Sequence, residues 1–200
     1  MHPPSEFDRA TAVTARDDHT VHDVTVDPGW TIGDKPNGGY LLAILARAAA
    51  DAAAAVEGPA HPHPLAATAT YVAPPGLGPA EVHSEVLRRG RGMSQVRARL
   101  VQEGRARVEA TLTLGRLDAG AEPWWGGAPA PVVPAPEGAV PSSTTGPSGT
   151  VLPIMDRVDL RLDRSRPPGG PRDAVGRHPH TVNGNMAGCP GEPPVPALWR

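Results

Sequence analysis

A cluster of residues suited to binding a negatively charged oxygen lies at positions 37–40, Asn-Gly-Gly-Tyr. These residues open a predicted helix, where backbone N–H groups have no intrahelical partner and the positive end of the helix dipole faces outward. Glycines at such a position let a carbonyl oxygen approach the backbone closely. The same glycines also suit a helix that packs tightly against a sheet or a partner. The candidate catalytic residues are therefore Gly38, Gly39 and Tyr40, and Asn37, the expected N-cap, is a candidate for substrate binding.

Asp34 is the one carboxylate near this helix start, three residues before Asn37. A carboxylate there is a candidate catalytic group, because it can orient a water molecule for attack on a bound carbonyl. An exposed loop aspartate with no catalytic role is the alternative interpretation.

Seven arginines fall between Arg88 and Arg107, and arginine pairs with phosphate groups through bidentate hydrogen bonds. Arg89 and Arg91 lie in a predicted turn that would let them reach a ligand, and Gln95 follows on the next strand. We take these three as substrate-binding candidates. A solvated sheet face is the alternative for all of them.

Histidine and cysteine give no clear metal or nucleophile motif. The pairs His61/His63 and His178/His180 have His-x-His spacing, but each encloses a proline and has no carboxylate or cysteine cluster beside it. Cys189 is the only cysteine, which excludes an intrachain disulfide, and its segment has no periodicity to hold a catalytic geometry. The sequence therefore predicts no metal site and no cofactor.

Composition limits the class of protein. Proline and glycine supply 26 and 23 of 200 residues, which predicts that part of the chain does not pack. The net charge of −2 offers no field for nucleic acid or an anionic membrane, so neither is an expected partner. Residues 1–8 contain no apolar signal segment and residues 41–46 are too short an apolar run to span a bilayer, which favours a cytoplasmic location.

The apolar pattern places one folded domain at 6–120. A strand at 20–26 is followed by a helix at 38–56, which is apolar almost all round and is therefore expected to be buried. Four alternating segments separated by short turns then predict an antiparallel meander, at 65–73, 80–88, 93–102 and 105–115. These elements predict an α+β fold in which a curved antiparallel sheet wraps one buried helix.

The remainder of the chain is expected to contribute little to this core. Residues 121–150 have the composition of a proline-rich linker, and alternation at 151–163 predicts one strand. Residues 164–200 have no periodicity at all. They are either a disordered tail or the product of a truncation or frame shift that removed a second domain begun at 151–163.

Several motifs in order resemble the actinobacterial acyl-CoA thioesterase-like family, relatives of acyl-CoA thioesterase II. They are WTIGDKPNGGYLLA at 30–43, YVAPPG at 71–76, RGRGMSQVRARLVQEG at 89–104 and PWW at 123–125. The resemblance runs from about 7 to 163 and implies two hotdog domains in one chain, of which the first is complete here. It also implies that the catalytic Asp, Thr and Gln of the better-known enzymes lie in the second hotdog, so none is carried over to this chain.

Two functions follow from this resemblance. The first is hydrolysis of an acyl-CoA thioester to free acid and coenzyme A, with activity impaired by loss of the second hotdog. The alternative is a non-catalytic hotdog module for acyl-group binding or assembly. Hydratase chemistry is a third idea, since Asp18 and Asp23 lie near His19 and His22, but at a strand edge rather than at the helix start. A single hotdog leaves an open sheet edge, so we also expect a homo-oligomer.

Overall fold

A computed structural model describes residues 3–118, 120–122, 135–146 and 148–162 of the chain. Predictions that concern Trp124-Trp125, the 164–200 tail, His178/His180 and Cys189 lie outside these residues. The described helices are α1 (Glu6–Ala10) and α2 (Gly38–Ala55). The strands are β1 (Thr14–Ala15), β2 (Val21–Val26), β3 (Thr31–Ile32), β4 (Lys35–Pro36), β5 (His63–Tyr71), β6 (Gly78–Arg89), β7 (Ser94–Gln102), β8 (Arg105–Gly115), β9 (Val140–Pro141) and β10 (Arg161–Leu162).

Six strands form one antiparallel sheet in the order β1-β2-β6-β7-β8-β5. The run β6-β7-β8 is a meander joined by short turns, and Glu103 and Gly104 make the second turn with φ of 54° and 71°. Positive φ at both central residues gives the turn a twist that matches the flanking strands. The predicted meander is confirmed for β6, β7 and β8, but its first predicted strand, β5, pairs with β8 rather than with β6, so the four-strand meander was wrong at that connection. The predicted α+β arrangement, in which one long helix packs on an antiparallel sheet, is confirmed.

Helix α2 lies against the concave face of this sheet. Asn37 caps it, and its buried side chains recur at helical spacing: Tyr40, Leu41, Ile44, Leu45, Ala48, Ala49, Ala52 and Ala53. They pack against inward residues of β6, β7 and β8, including Val82, Leu100 and Leu112. The opposite side of the helix, which includes Leu42 and Ala46, is only half-buried. The helix is long and apolar enough to cross a membrane, but here it is the core helix of its own domain.

Strand β7 shows why the arginine-rich segment folds as a strand. Val96, Ala98 and Leu100 are buried, whereas Gln95, Arg97 and Arg99 are exposed between them. One face therefore enters the core and the other carries charge into solvent, as the alternation predicted.

The segment after 140 differs from its sequence prediction. Residues 151–162 form a 3-10 helix at Pro153–Asp156 and the short strand β10, rather than one strand. Pro153 has a fixed φ suited to the start of a helical turn and no N–H for a ladder. Ile154 packs against the core, and Arg157 donates to Glu6 over 2.7 Å. Residues 141–160 thus fall in one compact unit with 3–122, while 135–140 and 161–162 belong to a second unit.

Candidate functional site

The start of α2 carries two free backbone donors. Asn37 accepts a hydrogen bond from the Tyr40 N–H over 3.1 Å and donates its own N–H to the Trp30 carbonyl over 2.8 Å. The N–H groups of Gly38 and Gly39 lie in the first helical turn, where no intrahelical acceptor exists. Gly39 is exposed, and within the described part of the chain neither N–H has a hydrogen-bond partner. Two adjacent donors at a positive helix end are suited to holding an oxyanion.

Tyr71 forms one wall of this site. Its hydroxyl donates to the Gly38 carbonyl oxygen over 2.7 Å, and its ring lies so close that a Cβ on Gly38 would meet it at 3.0 Å. A side chain at position 38 would therefore have to displace the ring of Tyr71. Burial raises the pKa of the Tyr71 phenol, so the hydroxyl stays protonated at neutral pH and can donate.

A cavity of about 340 Å³ opens beside this contact. Apolar and backbone atoms dominate its lining, which comprises Pro36, Gly38, Leu41, Tyr71, Val72, Ala73, Pro74 and Pro75. Two motifs that are separated in sequence, 37–40 and 71–75, therefore meet at one place. Sequence analysis did not name Tyr71 as a site residue, although its position at the end of a predicted strand within the second motif was the available signal.

The side chain of Tyr40 belongs to the core rather than to this cavity. It is 2% exposed, and its hydroxyl accepts from the Asp27 N–H over 2.9 Å. The same hydroxyl lies 3.0 Å from the Ala10 carbonyl oxygen, and the ring stacks on Trp30 at 5.8 Å. Burial raises the pKa of this phenol. The Tyr40 N–H also donates to the Asn37 side chain. Tyr40 therefore anchors the first turn of α2 to the core.

Asp34 lies between β3 and β4, in the turn before the helix. Its carboxylate accepts a hydrogen bond from Lys35 over 2.9 Å, which holds its pKa below the ordinary value. The side chain is 83% exposed. It is therefore ionised and accessible to water at neutral pH.

Arg89 lies at the other end of α2. Its guanidinium donates to the carbonyl of Ala53, in the last turn of the helix, and to the carbonyls of Gly58 over 3.0 Å and Pro59 over 2.6 Å, in the segment that follows the helix. The helix is about 27 Å long at 1.5 Å per residue. Arg91 and Gln95 are exposed near Arg89 along the chain. The structure thus places Asn37 at one end of α2 and the other three substrate-binding candidates toward the opposite end.

The two described histidines of the first His-x-His pair have separate partners. His61 is 6% exposed and its Nδ1 lies 2.8 Å from the Ser94 hydroxyl, whereas His63 Nδ1 accepts from the Leu117 N–H over 3.0 Å. The residues considered for hydratase chemistry are also engaged elsewhere. Asp18 bonds to Thr20, and Asp23 pairs with Arg16.

Comparisons with known proteins show what the domain is similar to. A family model described as the acyl-CoA thioesterase N-terminal domain matches residues 26–115. The uncharacterized protein Rv0499 of Mycobacterium tuberculosis is 27% identical over 179 residues, covering 85% of this chain and 57% of the relative.

Solved structures give a similar result. The crystal structure of a proposed thioesterase II from Thermobifida fusca is 33% identical, with a TM-score of 0.68, and the match covers 82% of this chain and 57% of that one. A hot dog fold protein from Alicyclobacillus acidocaldarius is 24% identical, with a TM-score of 0.58 and coverage of 76% and 53%. The chain thus spans between half and two thirds of the length of these relatives.

Proposed function

We propose, from the match of residues 26–115 to the acyl-CoA thioesterase N-terminal domain model, that the protein binds acyl-CoA and hydrolyses its thioester. The observation that carries the proposal is the pair of free N–H groups at Gly38, which lines the 340 Å³ cavity, and at Gly39, the next residue of the helix. The donors match the oxygen that becomes negative during acyl transfer. The apolar wall formed by Tyr71 and Leu41 matches the first carbons of an acyl chain.

In the proposed reaction the thioester carbonyl oxygen points at the Gly38 and Gly39 N–H groups. Water attacks the carbonyl carbon as its proton passes to a carboxylate, for which Asp34 is the candidate on this chain. The resulting oxyanion is held by the two N–H groups until the C–S bond breaks. Coenzyme A leaves as the thiolate and regains the proton, which releases the free acid.

Arg89 has no part in this proposal, because its guanidinium already donates to three carbonyls at the far end of α2. Arg91 and Gln95 are exposed, and we propose that they contact the extended nucleotide end of coenzyme A. The proposed location is the cytoplasm, where acyl-CoA is made and consumed. We also propose a homo-oligomer, in which the hotdog domain of a second copy covers the open edge of the sheet.

Replacing the exposed Gly39 tests the oxyanion role directly. Gly39→Pro removes the N–H, and a proline in the first turn of a helix is tolerated because that N–H has no intrahelical acceptor. Gly39→Ala is the matched control, because it adds the same Cβ, 3.2 Å from Asn37 Oδ1, and keeps the N–H. Thiol release from a panel of acyl-CoAs is the readout.

We expect weak hydrolysis by the 200-residue chain, a loss of about 100- to 1000-fold in kcat for Gly39→Pro, and a small change for Gly39→Ala. Equal losses in both variants would mean that shape, not the donor, matters at this position. Robust hydrolysis that survives Gly39→Pro would place the machinery elsewhere.

A non-catalytic acyl-binding module is the alternative function. It is favoured by the engagement of Tyr40 in the core and by the exposure of Asp34, which leave few side chains at the cavity that could move a proton. Calorimetric binding of an acyl-CoA with no thiol release over hours would support this alternative over hydrolysis.

A further inference from the structure

Three side chains converge near the C-terminal half of α2, away from the acyl-CoA site. Asp51 Oδ2 lies 2.7 Å from His19 Nδ1 and 2.9 Å from His22 Nε2. The three candidate ligand atoms all lie within 4.8 Å of one another. His19 lies just before β2, His22 is in β2, and Asp51 is on α2, so the cluster joins the sheet to the core helix.

His22 is the buried member of this cluster. The ring is fully buried, and its Nδ1 has no hydrogen-bond partner among the residues described. Burying an imidazole with one nitrogen unpaired costs free energy, which one hydrogen bond to the half-exposed Asp51 offsets only in part. Nε2, the nitrogen that faces Asp51, is the one available to a metal ion, and the burial of the ring fixes its position.

The cluster adjoins a second cavity, of about 280 Å³. His19 and Thr20 line it, together with Ser84, which is 6% exposed and whose hydroxyl has no hydrogen-bond partner in the described chain. The opening leaves room beside His19 for a further ligand such as water. Asp18 and Glu85 border the same space and add negative charge.

We propose that His19, His22 and Asp51 bind a divalent transition metal ion of the zinc class, with a water molecule from the adjoining cavity as the fourth ligand. Two imidazole nitrogens and one carboxylate oxygen form a ligand set that Zn²⁺ accepts. Bonds of about 2.0–2.1 Å in a tetrahedron set ligand atoms about 3.3 Å apart. The distances from Asp51 to the two imidazole nitrogens therefore lengthen by about half an ångström, while those nitrogens, which lie within 4.8 Å of each other, approach by up to about 1.5 Å through movement of the half-exposed His19.

Cobalt is the probe for coordination, since four-coordinate Co²⁺ gives visible absorption bands and Zn²⁺ then displaces it. The full chain is treated with a chelator and dialysed before titration. The parent and all variants in this experiment carry His178→Gln and His180→Gln. These substitutions remove the His-x-His pair at 178 and 180, which lies outside the described residues and could bind the metal independently. We expect one equivalent of Co²⁺ with visible bands, displaced by one equivalent of Zn²⁺ and unaffected by excess Mg²⁺.

Variants at the half-exposed ligands assign the site without disturbing buried His22. His19→Gln and Asp51→Asn should each weaken binding at least about tenfold and abolish the bands. His19→Cys should restore binding and add sulfur-to-cobalt charge-transfer absorption, because thiolate is also a zinc ligand. His83→Gln, at a histidine paired only with Glu81, is the control and should bind like the parent.

Zn²⁺ should also raise the melting temperature of the parent in a concentration-dependent way, because it binds the folded state. Binding that survives His19→Gln and Asp51→Asn unchanged would overturn the proposal, as would the absence of stoichiometric binding at about 100 μM metal. In either case the cluster is a hydrogen-bonded contact only. The outcome is independent of hydrolytic activity, which the Gly39 variants test.

Discussion

Tyr71 and Gly38 are joined by a 2.7 Å hydrogen bond that connects the last residue of β5 to the first residue of α2. Tyr71→Phe removes only this bond, and we expect the free energy of unfolding to fall by about 1 kcal/mol or less, since the phenol is half-exposed. Tyr71→Ala also removes the cavity wall, and calorimetry should show acyl-CoA binding weakened about tenfold. Similar weakening by both variants would mean that the hydroxyl, rather than the ring, contacts the ligand.

Arg89 is expected to act on stability rather than on substrate. Arg89→Met removes the donor of the Gly58 and Pro59 carbonyls and one of two donors of the Ala53 carbonyl, which also accepts from the Val56 N–H. Charge-assisted hydrogen bonds of this kind contribute about 1.5–3 kcal/mol. We expect urea unfolding to show a loss of about 2 kcal/mol with acyl-CoA affinity unchanged. Arg91→Met is the control at an exposed neighbour and should change stability by less than about 0.5 kcal/mol. A selective loss of acyl-CoA affinity in Arg89→Met would return Arg89 to the binding site.

The sequence patterns predicted the helices and strands that are specified by residues within the element itself. Strand β8 occupies the predicted residues 105–115, and α2 ends one residue before its predicted end, because strict alternation and a long apolar run specify each element alone. The helix α1 and the β3–β4 hairpin were missed. Both are too short to carry a period, and α1 depends on a capping box between Ser5 and Asp8.

Long-range contacts account for the rest. The sequence predicted a helix-start site, but only the fold brings Tyr71 to Gly38 across 33 positions and sends Arg89 to the opposite helix end. Likewise, no local pattern marks Asp51 as part of a cluster, because its partners His19 and His22 lie 32 and 29 positions away in the sequence.

A charge placed on α2 should report which side faces the core. Ala49 is fully buried, so Ala49→Asp puts an unpaired carboxylate among apolar side chains and should cost several kcal/mol in urea unfolding. Ala46 is only half-buried, and Ala46→Asp should cost markedly less. Equal and small effects in both variants would contradict the packing of the helix described above.

Asp8 should give stability a defined pH dependence. Hydrogen bonds from the Ser5 hydroxyl and backbone, and then from Arg47, hold the pKa of Asp8 below its usual 3.8. A carboxyl group whose pKa is lower in the folded state stabilises above the unfolded pKa, and the stabilisation is lost as the pH falls through the folded value. The difference in unfolding free energy between the parent and Asp8→Asn should therefore be constant from about pH 5 to 7 and shrink below about pH 4. A difference that grows on acidification would contradict this sign.

Strand β5 should mediate self-association of the 200-residue chain. It is a nine-residue edge strand, and eight of the nine residues pair with β8 on one side, while no described strand pairs with its other edge. Exposed edges of this length pair readily with another chain. We expect light scattering to give a dimer or larger species at micromolar concentration, where the monomer would be 20.7 kDa.

Charge on the exposed face of β5 distinguishes edge pairing from general stickiness. Thr68 and Thr70 are exposed, and Thr68→Lys with Thr70→Lys should shift the population toward monomer, because lysines on an edge strand oppose pairing. Thr111→Lys is the matched control, since Thr111 lies directly opposite Thr68 on the interior strand β8 and is also exposed. It adds a charge to the same face without touching the free edge, so the assembly should persist. Dissociation by Thr111→Lys alone would place the contact between chains on the sheet face instead of the β5 edge. A parent chain that is monomeric would contradict the prediction of self-association.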